Sequence, residues 1–403
     1  MNQRRAFLKS SALVSLAPLI PGFVRKTVFD QAADDHQPIL VVVEMNGGND
    51  GLNTVIPFKQ REYQRKRRRV RIEKNQQLKI DDEVGLNPAM GGFQELYDAG
   101  NLAIINSVGY PNPNRSHFES MAIWHAASEK GTRANGNGWL GQYLDSSIPQ
   151  ERIDLDGWFV GAGTVPSVLV NRRSQIASVE RLQDLRFRSL GVAKEARKLQ
   201  TGAGQSDVGS FVSRCMTSSF ASAEQLESVL KNGGKNGDKT DVRFPPTALG
   251  KKLSIVSRLI RAGAKSRVFY TIQAGYDTHA AQLGAHANLL GELSSSIKAF
   301  IDDLQQAKLD RQVVVLAFSE FGRRVEENQS QGTDHGTAGP VFVAGTRVAG
   351  GLYGEIPNLS DLEQGDLKVK VDFRQVYSTL LANWLKIQPE KVLDEKYEPL
   401  KFV

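Results

Sequence analysis

The chain has 403 residues, 40% of them hydrophobic and 24% charged, with a formal net charge of +7. Five basic residues, Arg4, Arg5, Lys9, Arg25 and Lys26, precede the first acid, so the remainder sits near +2 and nucleic-acid binding gains little support. The single cysteine, Cys215, excludes an internal disulfide.

In chain order, Gln3-Arg4-Arg5-Ala6-Phe7-Leu8-Lys9 leads into a mostly apolar stretch at 10–20, broken by Pro18. That stretch is shorter than the roughly 20 apolar residues a membrane span requires. A basic start followed by a short apolar run reads as a signal peptide, and the paired arginines before Phe-Leu-Lys resemble a twin-arginine signal. The alternative is an ordinary basic terminus beside a buried helix. With no clear Ala-x-Ala site, the mature start is expected between Gly22 and His36. Residues 1–35 are thus expected to be signal and linker, and 36–403 a single large domain. The expectation is a periplasmic or secreted protein, handed over by the twin-arginine export machinery and without a stable membrane span after cleavage.

Short apolar runs closed by Gly or Asn predict buried strands at 39–45, 102–108, 165–170, 267–273, 313–318 and 341–344. Helical spacing is predicted at 87–99, 246–264, 278–304 and 373–385, with a further helix from Ser116 to about Ala127. Continuous apolar strands alternating with helices indicate an α/β fold, a mostly parallel central sheet sandwiched by helices. The polar, Ser/Gly-rich segment at about 174–240 is expected to be a helical insertion or cap. The basic run from Arg61 to Arg71 is expected to be a solvated face, or else a docking patch for an anionic partner.

In open α/β sheets, ligands bind beyond the carboxyl ends of the strands. Asp50 follows the first strand across Gly47-Gly48, Asp277 and His279 follow the strand at 267–273, and Ser319-Glu320 follow that at 313–318. Thr333-Asp334-His335 precede the strand at 341–344. Carboxylates with neutral imidazoles suit Zn or Mn, whereas an all-oxygen site suits Mg, Ca or Mn. Each residue also has a structural reading: Asp50 as a turn former, Asp277 as a cap for a helix near Thr278, and Asp334-His335 as a self-bonded loop. Ser116 at a helix start is an N-cap, with Glu119 completing a capping box. It is also a candidate nucleophile, because a helix N-terminus favours anions. Arg115 or His117 would then hold the transferred group or assist proton transfer.

The segments GGNDGLNTVIP, NRSHFESMAIW, GYDTHAAQ, VVLAFSEFGRR and GTDHGTAGPVFVAG together resemble the exported domain of unknown function 1501 family, from about Pro38 to the C-terminus. That family is similar to the alkaline phosphatase and sulfatase superfamily. The resemblance implies an alkaline-phosphatase-like fold, Asp50 as the first metal ligand and Ser116 as nucleophile. It further implies Asp277 and His279 as ligands of one divalent metal, His335 as the final imidazole with Asp334 a ligand or behind it, and Glu320 at a second metal, whose site with Asp50 and Ser116 would be all oxygen. Three departures stand out: Phe321 follows Glu320 where phosphatases carry His, Asp277 and His279 are closer than the usual spacing, and no Cys/Ser-x-Pro-x-Arg motif is present, which argues against a formylglycine sulfatase. The implied activity is metal-dependent hydrolysis or transfer of a phosphate or sulfate ester, on an anionic small molecule or polysaccharide. The alternative is a non-catalytic envelope or polysaccharide-binding protein that retains the fold.

Overall fold

In a computed structural model of the protein, the residues described are 37–133, 136–147, 155–172, 174, 176–181 and 240–403. The expected signal segment, Cys215 and most of the expected insertion at 174–240 lie outside them. The elements that position the site are β1 (Ile39–Asn46), α1 (Gly91–Asp98), β2 (Leu102–Gly109), α2 (His117–Ala126), α3 (Trp139–Ser147), β3 (Gly157–Val160) and β4 (Ile176–Val179). There follow α4 (Ala248–Arg261), β5 (Val268–Ala274), α5 (Gln282–Gln306), β6 (Val313–Phe318), β7 (Arg323–Glu327), β8 (Thr333–His335) and β9 (Gly339–Ala344). The last are β10 (Gly351–Tyr353), β11 (Val371–Asp372) and α6 (Phe373–Thr379).

The main sheet runs β10-β2-β9-β6-β1-β5-β3-β4, with β11 also pairing β2. β1 pairs parallel with both β5 and β6, which makes it the central strand. Its sequence explains the two-sided burial. Val41, Val43 and Met45 join one apolar cluster, with Phe93 of α1, Leu253 of α4 and Phe300 of α5. Leu40 and Val42 point the other way, toward Trp124 of α2, Trp139 of α3 and Tyr377 of α6. The period of two along a strand thus places helices on both faces. Burying each such aliphatic side chain contributes roughly 1.5–3 kcal/mol.

β9 is the exception in direction: it pairs antiparallel with both β2 and β6. Its first residue therefore lies at the edge where the parallel strands end. This brings the β7–β8 hairpin, immediately upstream of β9, to the same edge as the loops after β1, β5 and β6.

Three local expectations change. The predicted strand at 165–170 is a 3₁₀ turn, Ser167–Leu169, behind Pro166; proline removes the N–H a central ladder needs. The sheet uses Gly157–Val160 and Ile176–Val179 instead, so the strand at 176–179 occupies the start of the expected insertion. The helix expected from 278 begins at Gln282, with Ala281 (φ 44°) as its N-cap, so Asp277 is not its cap. Ser116 does occupy the N-cap of α2, but its side chain makes no capping bond, so the capping box with Glu119 is not formed. Asn114 Oδ1 instead accepts the Ser116 backbone N–H at 2.7 Å. Among the described residues, no helix is long and apolar enough to cross a membrane.

Candidate metal centre

The loop after β1 is shaped by two glycines. Gly47 (φ 121°) passes so close to the loop after β5 that a Cβ would stand 2.5 Å from the Asp277 nitrogen. A Cβ on Gly48 (φ 74°) would strike the Phe321 ring at 2.4 Å. Only glycine permits this approach and this backbone conformation together.

On that edge three imidazoles and one carboxylate converge. Asp277 Oδ1 lies 2.9 Å from His279 Nε2, 3.2 Å from His335 Nε2 and 3.4 Å from His117 Nε2. His279 Nε2 and His335 Nε2 are 2.9 Å apart. His117, Asp277 and His335 by themselves form a group able to hold a metal ion, with all donor atoms within 4.8 Å of one another. A tetrahedral ion with bonds near 2.0–2.1 Å separates its ligands by about 3.3 Å, which is close to these spacings.

The outer nitrogens fix the tautomers. His117 Nδ1 lies 2.7 Å from Glu320 Oε1, His279 Nδ1 3.3 Å from Asp334 Oδ1, and His335 Nδ1 2.8 Å from the Arg115 carbonyl. A carboxylate or carbonyl can only accept, so each Nδ1 donates and each neutral imidazole keeps its lone pair on Nε2; that of His279 also faces the Arg323 guanidinium at 3.3 Å. The buried His117 Nε2 has no hydrogen-bond partner. Two imidazole lone pairs 2.9 Å apart repel unless a shared proton or cation lies between them. His117, Asp277 and His335 therefore fit one divalent ion, with His279 beside them.

The remaining contacts tune this cluster. Phe321, buried, packs its ring 4.9 Å from both His117 and His335. Arg323 is fully buried; it donates to the carbonyls of Gly47, Gly48, Tyr276 and Thr333 and, at 2.7 Å, to Asp277 Oδ1. It sits opposite His335 in the β7–β8 hairpin. Partial burial pulls the Asp277 pKa upward, but the hydrogen bond and charge of Arg323 lead the effects that lower it to about 2. The hydrogen bond to Glu320 raises the pKa of His117 against its desolvation.

The sequence matches the family described as "Protein of unknown function (DUF1501)" over residues 38–396. The chain belongs to DUF1501. No curated protein matches the sequence. Solved structures similar to this DUF1501 chain include the periplasmic domain of EptC from Escherichia coli in complex with Zn (8% identity, TM-score 0.37, covering 78% of this chain and 75% of that one). They also include a sulfatase from Pseudoalteromonas sp. (11%, 0.40, 91% and 71%). A third is a protein of the alkaline phosphatase superfamily from Vibrio parahaemolyticus (9%, 0.40, 89% and 70%).

The nine residues singled out in the sequence fall into distinct places in the DUF1501 fold. Asp277, His279 and His335 meet at the cluster, with His117, which was expected to assist the chemistry, beside them. Glu320 and Asp334 stand behind imidazoles; Glu320 also accepts from the Gly47 N–H at 2.9 Å and from Ser319. Arg115 turns its guanidinium to Asp366 and reaches the centre only through its carbonyl. Ser116 is exposed, one residue before His117. Asp50 lies elsewhere: fully buried, it is ion-paired to Arg67 at 2.6 Å and also accepts from Gln282, while its Oδ1 has no partner.

Arg67 and Arg323 were missed as site residues. Arg67 lay inside the basic run expected at the surface, yet its side chain is wholly buried. The signal was the interruption of that run by Tyr63 and Val70, both buried; Tyr63 shares a helical face with Arg67 four residues on. Arg69 pairs with Glu327 and Arg71 with Glu73, while Arg61, Arg65 and Arg68 are exposed, as expected of a solvated face.

Proposed function

We propose that this DUF1501 protein is an exported, metal-dependent hydrolase or transferase acting on a phosphate or sulfate ester, with a single divalent ion at His117, Asp277, His279 and His335. The observation that carries the reading is the convergence of three Nε2 atoms on Asp277, each imidazole held from behind by Glu320, Asp334 or the Arg115 carbonyl. Zn or Mn suits such a nitrogen-rich set. The ion supplies Lewis acidity toward an ester oxygen and a positive charge for an anionic substrate.

The chain's own groups do the rest. Ser116 stands at the N-terminus of the ten-residue helix α2, with a hydroxyl not used for capping, beside a metal-binding imidazole. A helix N-terminus stabilises an anionic group there, and Ser116 is the nucleophile candidate. Arg323, buried between Asp277 and the Gly47-Gly48 carbonyls, fixes the carboxylate's orientation. A second ion of oxygen ligands from Asp50, Ser116 and Glu320 is disfavoured. The Asp50 charge is neutralised by Arg67, and Glu320 is committed to His117, Ser319 and Gly47.

The same Asp50–Arg67 pair favours a second reading, a binding protein that keeps one metal for structure. Turnover separates the two. Metal-loaded protein is expected to hydrolyse 4-nitrophenyl phosphate or sulfate and to stop on chelation. Metal-loaded protein inert toward every ester offered, yet binding an anionic polysaccharide, selects the second reading.

A further inference from the structure

One cluster on the same sheet edge belongs to no metal. Glu44 of β1 has the parity of Leu40 and Val42 and points toward α2, where it is buried. His125, two turns along α2 from His117, places Nε2 3.0 Å from Glu44 Oε2 and Nδ1 2.8 Å from Ser167 Oγ. Glu44 is held as a carboxylate by three groups: His125, the Tyr270 hydroxyl and, at 2.9 Å, Asn46 Nδ2. Burial raises the Glu44 pKa, but the bonds from His125, Tyr270 and Asn46 outweigh it and leave the value lowered.

Chemistry assigns the protons. Tyr270, fully buried, gives its hydroxyl proton to Glu44. Glu44 can only accept, so His125 Nε2 carries a proton and Nδ1 presents a lone pair. Among the described residues, the group in front of that lone pair is the Ser167 hydroxyl, on the exposed first residue of the 3₁₀ turn. Nucleophile, base and orienting carboxylate thus stand in hydrogen-bonded series, recognisable by roles and distances rather than by position in the chain.

The surroundings select the substrate. Ser167, His125 and Glu44 line a cleft of about 510 Å³ whose apolar wall is Phe118, Met121 and Ala122. Phe118 is 88% exposed, an unusual state for a large apolar side chain beside a polar site. The described residues lining this cleft include Glu44 and, from the candidate metal centre, His117 and Asp277, and no Lys or Arg. An ester with an apolar group suits the wall of Phe118, Met121 and Ala122.

The geometry points to Ser167 as the nucleophile of a second activity, the cleavage of acyl esters, with His125 as base and Glu44 as the group that orients it. Ser167 Oγ forms a bond to the acyl carbon as its proton passes to His125 Nδ1. The carbonyl pair moves to oxygen and returns as the bond to the alcohol oxygen breaks, and that alcohol takes the proton from His125. Water repeats the sequence and frees the acid. No metal or oxidant enters the balance.

The test is covalent. The full-length protein is treated with a fluorophosphonate probe, and the adduct is mapped by peptide mass; Ser167 Oγ gains phosphorus as fluoride leaves. The expected adduct lies on Ser167, is absent in Ser167→Ala, and forms equally well after chelation. In His125→Gln, labelling and 4-nitrophenyl acetate hydrolysis are expected to fall by about 100-fold or more. Ser167 is exposed, so its alanine variant tests the assignment even if the buried His125→Gln protein fails to fold. An adduct on any other serine, Ser116 included, overturns the proposal. So does labelling that requires metal, or a folded His125→Gln that labels at the wild-type rate.

Discussion

Asp50 and Arg67 form an ion pair of 2.6 Å in which neither side chain reaches solvent. Arg67 also donates to the carbonyls of Val325 and Arg324 and to Asn53, tying the segment after β1 to the hairpin that carries His335. Burial pushes the Asp50 pKa up, and Arg67 more than reverses it. Removing one partner of such a pair leaves an uncompensated buried charge and costs about 3–5 kcal/mol. Arg67→Met is therefore expected to lower the urea-unfolding free energy by that order at neutral pH. A loss below about 1 kcal/mol, the range of exposed pairs, contradicts the structural role given to Arg67.

Glu320 bears on the proposed metal centre through His117, 2.7 Å away. Glu320→Gln keeps the shape but replaces a carboxylate acceptor with a neutral amide facing Nδ1. Loss of such an outer partner lowers metal affinity by about 10–100-fold. Competition with a chromophoric chelator measures the change. Unaltered affinity in the folded variant removes His117 from the ligand set.

His286 sets a pH dependence of stability. Burial lowers its pKa to about 4, and in the neutral form it faces Asn49 Oδ1 at 2.9 Å through Nε2. The unfolded chain takes up this proton near 6.5 and the folded chain only near 4. The unfolded state thus binds more protons between those values, and stability falls as pH drops through the window. From pH 7 to 5 this one group is expected to remove about 2 kcal/mol. His286→Gln should show a loss smaller by that amount in urea titrations at the two pH values. Equal losses in both proteins count against a neutral buried His286.

Ser116→Ala tests the proposed nucleophile without touching a proposed metal donor. Turnover of the ester substrate is expected to drop by about a thousandfold or more, with metal content unchanged, because Ser116 is exposed and makes no capping bond. A variant that turns over like the parent removes Ser116 from the mechanism.

Much of this architecture was legible in the chain. The runs at 39–45, 102–108, 267–273 and 313–318 are strands within a residue or so of expectation, because continuous burial on both faces imposes unbroken apolar sequence. The loops after β1, β5 and β6 carry polar residues to one edge, as the sheet rule requires. The direction of β9 was not legible: a short apolar run such as Val341–Val343 reads alike in parallel and antiparallel strands, yet its reversal brings His335 to the site. Gly157–Val160 was overlooked because it is short and includes Trp158 and Phe159, whereas Val165–Val170 looked strand-like and was stopped by Pro166. Arg67 and Arg323 were hidden for a different reason. Charged side chains are presumed solvated, and only tertiary partners reveal a buried guanidinium.

The most direct test of the account is the metal content of purified protein after loading with Zn or Mn and removal of excess ion, beside Asp277→Ala and His335→Ala. The account predicts close to one ion per chain, lost in both variants, with Asp50→Asn retaining its ion. Absence of tight binding after loading, or equal retention in Asp277→Ala and His335→Ala, contradicts the proposed centre.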